Sequence, residues 1–309
     1  MRHTVRFALT AACFGLALGA CGEGTAPASE QAQVLAAEAE QLGAMVDSNF
    51  GVSGAAATAA ASAPLDGGLE AALVTTGADT APTFWGRLRV VPGGPRPIYH
   101  RDVTIQGDTA RVEHDLTFDG LFLVDTSADG TFDPSAKPLA DRMTQQAVLV
   151  RDDAWPHGWR VVALSPQDWT VVDPSRQTVA VTDVQVYRND TLLVEVTDPT
   201  ALLDVTSRIP RFRLGDTVRV VAAVTNTTGS GFTPATFAFL HVRHADRFGT
   251  AWRRLPMVDN GDGTFARSWI VRRTGIDRFA VDALDTATLL LGTPDNYRAN
   301  EVAIPYRVE

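Results

Sequence analysis

Oxygen-bearing side chains recur at alternate positions in one short segment of the chain. They are Asp125, Ser127, Asp129, Thr131 and Asp133. Calcium binds six to eight oxygen ligands, and carboxylates supply both ligands and negative charge. The segment also contains Gly130, which allows a tight curl, so this loop is the strongest candidate for a metal site in the sequence. The alternative is a polar hairpin loop that turns at Asp129-Gly130 and holds no ion.

The same segment resembles the beginning of an EF-hand calcium loop, in which ligands alternate and a glycine provides the turn. It departs from that pattern at the end, because Ala136 occupies the position of the bidentate glutamate. A second run, Asp259–Asp262, has Gly261 where a ligand is needed. On balance we expect no cofactor, and calcium at the 125–133 loop is the one possibility that the sequence leaves open.

His114 is the histidine best placed for chemistry, because it interrupts an apolar strand face. The apolar residues that share this face are Ala110, Val112, Leu116 and Phe118. A neutral imidazole in a sheet cavity can act as a base or as a ligand. The alternative is a core histidine whose ring nitrogens are satisfied by a neighbour. His241 and His244 are three apart on a predicted strand, so they should point to opposite faces and not share a metal.

Common catalytic motifs are missing from the sequence. It contains no G-x-S-x-G or H-E-x-x-H motif, no phosphate-binding glycine loop and no dinucleotide fingerprint. The two cysteines, Cys13 and Cys21, both lie near the amino terminus. A cysteine nucleophile, an iron–sulfur cluster and a thiolate zinc site are therefore excluded. A Ser-His-Asp triad assembled by folding stays open, but the balance favours a non-catalytic protein.

The amino terminus has the order of a secretory signal peptide. Arg2 and Arg6 precede an uncharged apolar run over residues 7–20, and small residues lie just before Cys21. Because a membrane-spanning helix needs about 20 apolar residues, we expect this segment, residues 1–20, to be removed and not to remain as an anchor.

Leu18-Gly19-Ala20-Cys21 resembles the lipobox of bacterial lipoproteins. The resemblance implies cleavage before Cys21 and acylation of that cysteine, so we expect a lipid-anchored protein of the cell envelope. In such proteins an aspartate after the cysteine favours the inner membrane. Gly22 therefore favours the outer membrane, provided that the envelope has two. The alternative is an ordinary signal peptide that happens to contain a cysteine.

Charge is distributed unevenly along the chain, which has a net charge of −9. Residues 21–200 carry 25 acidic and 11 basic side chains, whereas residues 201–309 carry 11 acidic and 14 basic ones. Binding of nucleic acid needs concentrated basic charge, so it is not expected. The second part contains the arginine pairs Arg211/Arg213, Arg253/Arg254 and Arg272/Arg273. These can meet an anionic lipid headgroup or envelope glycan, face the acidic first part, or simply be solvated.

Helical periodicity is confined to residues 30–46. Leu35, Ala39, Leu42 and Met45 recur at helical spacing. The stripe is too short for a stable coiled coil, which favours docking on the following domain over self-association. We expect a linker over residues 21–29, and this helix followed by a low-complexity Ala/Gly/Ser segment over residues 30–83.

Alternating strand patterns begin at residue 84. The first group of predicted strands covers residues 84–91, 109–118, 120–124, 145–151, 158–164 and 168–172. They predict an antiparallel-sheet domain over residues 84–173, with 125–144 as a polar insertion. A helix followed by a curved sheet with the strand Gly158-Trp159-Arg160 resembles the cone-shaped NTF2-like fold. That resemblance implies an α+β domain whose cone His114 would line.

A second group of strands follows the predicted boundary at Asp173-Pro174. It covers residues 178–187, 191–196, 217–225, 236–243, 264–271, 278–284 and 300–308. Seven short strands separated by turns predict a β-sandwich over residues 174–309. The run Asp262-Gly263-Thr264-Phe265, followed by a strand and Thr274-Gly275, resembles bacterial immunoglobulin-like and fibronectin-like domains. The fold class is thus mainly β, an α+β sheet domain followed by an immunoglobulin-like sandwich.

The resemblances and the missing motifs together favour one function. We expect a lipid-anchored envelope protein that is a non-catalytic binding module for an envelope glycan or another protein. The alternative is a first domain that binds or hydrolyses a small molecule, with the sandwich as a spacer.

Overall fold

A computed structural model of the chain describes residues 28–46, 84–89, 96–126, 131, 133–246, 249–294 and 296–309. Within them the protein is mainly β, as the sequence predicts, and its sheets are antiparallel apart from one short parallel pair near the carboxyl terminus. The predicted signal peptide, Cys21 and the low-complexity segment between the helix and residue 84 lie outside the described residues.

The described elements follow the predicted order. The first half contains α1 (Ala28–Val46), β1 (Phe84–Leu88), β2 (Ile98–Gln106), β3 (Thr109–Asp125), β4 (Ser135–Arg151), β5 (Trp159–Leu164), β6 (Gln167–Val171), β7 (Val179–Arg188) and β8 (Thr191–Val196). The second half contains β9 (Leu203–Asp204), β10 (Arg211–Phe212), β11 (Thr217–Asn226), β12 (Thr236–Asp246), β13 (Gly249–Pro256), β14 (Val258–Asp259), β15 (Thr264–Ile270), β16 (Gly275–Asp285), α2 (Thr286–Leu290) and β17 (Ala299–Val308).

The larger sheet has the strand order β1-β3-β4-β6-β17-β16-β12-β13. It curls until its two edge strands approach, and Arg254 on β13 donates a hydrogen bond of 3.0 Å to the Trp85 carbonyl on β1. Strands from both sides of the predicted boundary at residue 173 belong to it, because β6 pairs with β17. The domain boundary stays a prediction, whereas the sheet itself is continuous across it.

The smaller sheet has the order β14-β15-β11-β7-β8. It packs on the convex side of the larger sheet, where β7 lies against β16 and β17. The core between them includes buried Val186, Val220, Val281 and Ile304. All seven strands predicted after residue 173 exist, in one sheet or the other, and their ends lie within three residues of the prediction.

The predicted polar insertion at residues 125–144 is wrong over its second part. Residues 135–144 belong to β4, and β3 is one continuous strand where two were predicted. The buried face of β4 mixes Leu139 and Met143 with Lys137, Asp141 and Gln145. These polar residues hide the apolar alternation from which a half-buried strand is recognised. Strands β2 and β13 were not predicted, and neither were the two-residue strands β9, β10 and β14.

A glycine allows the chain at the end of β1 to fold over the concave side of the curled sheet. A Cβ atom on Gly120 of β3 would lie 2.2 Å from the Leu88 carbonyl oxygen and 3.0 Å from the Arg89 Cα. Both atoms belong to the backbone and cannot swing away. The chain can therefore bring Arg89 inside the curl only because residue 120 has no side chain.

Helix α1 docks on the curled sheet, where it packs against β2, β4, β5 and β16. The buried face consists of Val34, Ala37, Glu38 and Leu42, whereas Ala39 of the predicted stripe is exposed. The Gln41 side chain donates to the Trp159 carbonyl at 2.8 Å and accepts from the Val161 amide at 2.9 Å. Neither described helix is long and apolar enough to span a membrane.

Candidate functional site

His114 lies on β3 beneath α1, and its side chain is 1% exposed. Its Nε2 atom is 2.7 Å from a carboxylate oxygen of Glu38 on α1. Its Nδ1 atom is 2.5 Å from the Tyr99 hydroxyl on β2. Arg101 donates two hydrogen bonds to that hydroxyl, from Nε at 3.1 Å and from Nη2 at 2.6 Å. Four side chains from three elements thus form one connected chain of hydrogen bonds.

The hydrogen bonds of this chain are all donated in one direction, from Arg101 through Tyr99 and His114 to Glu38. Arg101 can only donate, so the Tyr99 oxygen accepts and its hydrogen is free to be donated to His114 Nδ1. The neutral ring then carries its proton on Nε2 and donates it to Glu38. The arrangement links a phenol, an imidazole and a carboxylate through a continuous line of hydrogen bonds. His114 itself is buried, so a molecule in solution would meet Tyr99 and Arg101.

The alternative considered for His114, a core histidine satisfied by neighbours, matches what the structure places around it. Sequence reasoning missed both neighbours. Glu38 could have been found, because it is four residues from Val34 and from Leu42 and therefore shares their helical face. Tyr99 could not, because β2 was not predicted.

A second cluster of ionisable side chains lies on the concave side of the curled sheet. Its members are Arg87 on β1, Arg89 just after β1, Asp141 on β4, His241 on β12, Arg254 on β13, Asp282 on β16, Tyr297 just before β17, and Glu301 on β17. We call this set the buried ion network. Asp141, Asp282 and Glu301 are 3%, 0% and 1% exposed, and such carboxylates are stable only when they are paired.

Arg87 and Asp282 form the centre of the network. Arg87 donates from Nη1 to one carboxylate oxygen of Asp282, and its Nη2 lies 2.8 Å from the other. Arg87 Nε also donates to the Tyr297 hydroxyl at 2.8 Å. His241 Nε2 lies 3.1 Å from Asp282. Asp282 is therefore held by a two-pronged guanidinium and by an imidazole.

Arg89 connects the other two carboxylates. Its Nε and Nη2 atoms lie 3.2 Å from Asp141 and 3.2 Å from Glu301. Tyr297 donates to Asp141 at 3.0 Å. The Arg89 guanidinium also lies 3.9 Å from the ring centre of Trp169, which is within the range of a cation–π contact. Each acidic group of the network therefore has an arginine partner.

Burial and pairing shift the protonation equilibria in opposite directions. Burial alone would raise the pKa of Asp282, but Arg87 outweighs it and holds that pKa well below its usual range. Burial raises the pKa of Glu301, and Arg89 only partly opposes the shift. Burial lowers the pKa of Arg254 to about 9. At neutral pH the network therefore pairs buried guanidiniums with buried acids.

Apolar and aromatic side chains fill the concave side around the buried ion network. Trp85, Phe122 and Phe239 pack together in one cluster, and Phe118, Met143 and Trp169 in another. A depression of about 200 Å³ opens beside Tyr297, bordered by Gly120 and Leu139. That volume is small beside the 300–1,000 Å³ typical of ligand pockets.

The predicted calcium ligands are only partly described. Asp125 is 4% exposed at the end of β3, whereas Thr131 and Asp133 are exposed. Ser127 and Asp129 lie outside the described residues. Within the described ranges, no group of three or more His, Cys, Asp or Glu side chains could hold a metal ion. The calcium site stays a prediction.

The predicted arginine pairs occupy different environments. Arg254 lies over the Trp85 ring and donates to the Trp85 carbonyl beside the buried ion network, whereas Arg211, Arg213, Arg272 and Arg273 are all exposed. The exposed arginines lie around the start of β11 and β16 and the end of β15 and β17, and therefore at one end of the two packed sheets. They are accompanied by Leu214 and Ile270, which are 55% and 50% exposed. This end of the molecule is the clearest candidate for contact with a partner.

Known proteins do not identify either cluster. No family model, no curated protein and no solved structure matches the chain.

Proposed function

We propose that this protein is a lipid-anchored component of the bacterial cell envelope, and that its folded part is a non-catalytic binding module. Acylation at Cys21 would provide the membrane attachment, with Gly22 favouring the outer membrane. The partner would be an envelope component, either a membrane surface, a glycan or another protein, and not nucleic acid. The chain is net acidic, and nucleic acid binding requires dense basic charge.

One observation carries the non-catalytic part of this proposal, namely the filled concave side of the curled sheet. A small-molecule enzyme or carrier needs a pocket that buries most of its ligand. Here that space contains the buried ion network and two aromatic clusters. A curved sheet of this kind fits the NTF2-like resemblance in outline, but its interior is occupied by the protein's own side chains.

The pairing of the strands after residue 173 supports the immunoglobulin-like resemblance. Strands β11 and β15 pair in one sheet, and β12, β16 and β17 pair in the facing one. Such sandwiches serve many functions, so the fold alone gives only an analogy. It favours a rigid module that presents its ends or edges to a partner.

Mass spectrometry of the native protein tests the anchor. We expect the amino-terminal peptide to begin at Cys21 and to carry acyl chains, and we expect the protein to fractionate with membranes. The Cys21→Ser variant should lose both the label from a metabolically incorporated fatty acid and the membrane fractionation. An unmodified amino terminus in the exported protein would contradict the proposal.

A second candidate function is hydrolysis or small-molecule binding by the first domain, and the hydrogen-bond chain Arg101–Tyr99–His114–Glu38 favours it. A phenol hydrogen-bonded to a buried imidazole has the pairing of a nucleophile with a neighbouring base. Hydrolysis of an activated aryl ester would reveal it. Activity that Tyr99→Phe abolishes, while the fold is kept, would establish this function over the binding module.

Calcium at the 125–133 loop is proposed as a structural ion. Binding to the folded state alone raises the melting temperature by mass action. A rise in millimolar calcium that Asp129→Asn removes would support the site. An unchanged melting temperature would exclude it.

A further inference from the structure

Positive charge accumulates at one end of the two packed sheets. The exposed arginines there are Arg211, Arg213, Arg272, Arg273 and Arg307. Backbone hydrogen bonds hold the segments that carry them side by side, from the Gly215 amide to the Val271 carbonyl and from the Glu309 amide to the Phe212 carbonyl, each 2.9 Å. We call this surface the basic end.

Much of this charge is not neutralised by the protein. Arg211 and Arg307 are direct neighbours on the parallel strands β10 and β17, where like charges repel. Arg211 has Glu309 at 3.1 Å, and Arg273 has Asp277 at 3.7 Å. Among the described residues, no carboxylate lies within ion-pair distance of the remaining three, Arg213, Arg272 and Arg307. The basic end therefore has unpaired positive charge available to an anionic partner.

Two aliphatic side chains project from the basic end. Leu214 is 55% exposed in the turn before β11, and Ile270 is 50% exposed at the end of β15. The hydrogen bonds between Gly215 and Val271 and between Val271 and Asp216 place the two segments next to each other. Apolar tips surrounded by basic residues are typical of surfaces that enter the headgroup layer of an anionic membrane. A soluble polyanion would bind the arginines but not the aliphatic tips.

The start of α1 lies toward the same end. Glu30 on α1 forms an ion pair with Arg151, the last residue of β4. The register aligns Thr144 of β4 with Asp168 of β6, and Asp168 with Val302 of β17. Strands β4 and β17 therefore run in the same direction. Arg151 and Arg307, which lie near the carboxyl ends of these two strands, are therefore toward the same end of the curled sheet.

The distance from α1 to the predicted anchor is short. Six residues separate Cys21 from Ala28, and extended chain covers about 3.5 Å per residue. An acylated Cys21 would keep the start of α1 within about 25 Å of the bilayer. Because α1 starts toward the basic end, that end is the one held nearest to the lipid headgroups.

We infer that the basic end docks on the anionic phospholipid headgroups of the membrane that carries the anchor. The inference rests on the proposed lipid anchor for its geometry. Two contributions act together, namely attraction between unpaired arginines and lipid phosphates, and insertion of Leu214 and Ile270. The lipid anchor then determines which membrane is bound, and the basic end orients the folded part on it.

Vesicle binding by an unacylated chain tests the docking without the anchor. Residues 21–309 carrying Cys21→Ser contain all the described residues, and their binding is measured by co-sedimentation with two kinds of vesicle. One kind contains phosphatidylcholine alone and the other contains added phosphatidylglycerol. We expect binding to the anionic vesicles only, weakened by salt. Equal binding to both kinds, or to neither, would overturn the inference.

Two charge variants locate the binding surface. Each basic residue near an anionic surface contributes about 1 kcal/mol, so Arg213→Gln with Arg272→Gln should weaken vesicle binding by about thirtyfold. The matched control replaces Arg142 and Arg176 by Gln, which removes the same charge elsewhere. An equal loss in the control would show that only net charge matters, and would overturn the inference.

Two apolar variants separate a membrane from a soluble polyanion. Leu214→Ser with Ile270→Ser should weaken binding to anionic vesicles but leave binding to heparin unchanged. Val258→Ser with Leu291→Ser is the control, since both residues are also exposed, at 62% and 42%, and lie away from the basic end. Binding to heparin without binding to vesicles would assign the basic end to a soluble polyanion and refute membrane docking. Failure of these assays would leave the acylation of Cys21, measured by mass spectrometry, unaffected.

Discussion

Removing Arg87 should destabilise the protein strongly, because it leaves a buried carboxylate without its main partner. Arg87→Met keeps most of the side-chain volume and removes the guanidinium. Asp282, which is fully buried, then retains His241 at 3.1 Å as a side-chain partner. The Tyr297 hydroxyl also loses its donor at 2.8 Å.

The expected cost follows from the burial of Asp282. Breaking a buried ion pair by removing one partner costs about 3–5 kcal/mol in the free energy of unfolding. Arg142 and Asp115 provide a matched control, because their side chains are 52% and 33% exposed. Arg142→Met should cost less than about 1 kcal/mol, since exposed pairs contribute little.

Urea denaturation at several pH values measures both effects. In the wild type the pKa of Asp282 is held below its usual range, so the pair stabilises the fold above about pH 4 and is lost as the pH falls through the lowered pKa. Without Arg87, burial raises the pKa of Asp282, and the acid protonates at mildly acidic pH. The difference between Arg87→Met and wild type should therefore be largest near pH 7 and shrink toward pH 4.

A second substitution checks that the charge is responsible. Arg87→Met combined with Asp282→Asn removes both charges, and we expect it to be more stable than Arg87→Met alone. If Arg87→Met costs less than about 1 kcal/mol at pH 7, or if Asp282→Asn only adds to its cost, the buried ion network does not stabilise the fold as argued.

Three further predictions concern single positions. Gly120→Ala should lower the free energy of unfolding, measured by urea denaturation, by about 1–3 kcal/mol, because the new methyl group meets the backbone at the end of β1. Gly292→Ala is the control and should have little effect, because no atom lies within 4 Å of its added methyl group. Glu38→Ala should lower the free energy of unfolding by about 1–3 kcal/mol, because it removes the acceptor of the His114 imidazole. Limited proteolysis should then cut α1. An uncut helix would show that its apolar face is enough to hold it on the sheet. Lys137 is the sole lysine and is fully buried. An amine-reactive reagent should therefore modify it at least about a thousand times faster in urea than in the folded protein. Comparable rates in the two conditions would contradict its burial.

Alternation identified most strands but failed where polar residues occupy the buried face. In β11 and β15 the inward positions are apolar, for example Val218, Val220 and Phe265, so the pattern is visible in sequence. In β4 the inward positions include Lys137 and Asp141, which are satisfied by groups far away in the chain. From sequence alone, such charged positions are assigned to the exposed face, because the distant group that pairs with them is unknown.

The candidate sites were likewise predicted only where the signal lies in neighbouring residues of the sequence. His114 was identified because it breaks an apolar face, but its partners come from α1 and β2. The buried ion network was not foreseen, because its arginines and acids are up to about 210 residues apart in sequence and each alone resembles a solvated charge. The Asp125–Asp133 loop and Cys21 were proposed from local spacing, and each is testable by the experiments given above.

Local pattern was enough to determine the mainly β character, the order of most strands, the helix before them and the candidate lipid attachment site. These depend on periodicity and on contiguous motifs, which the chain carries in itself. Only the tertiary structure decided that the larger sheet curls, that Arg87 meets Asp282 and that α1 starts toward the basic end. Those facts depend on which distant segments pair, because a charge is stabilised in the interior only where folding brings its counter-charge within a few ångströms.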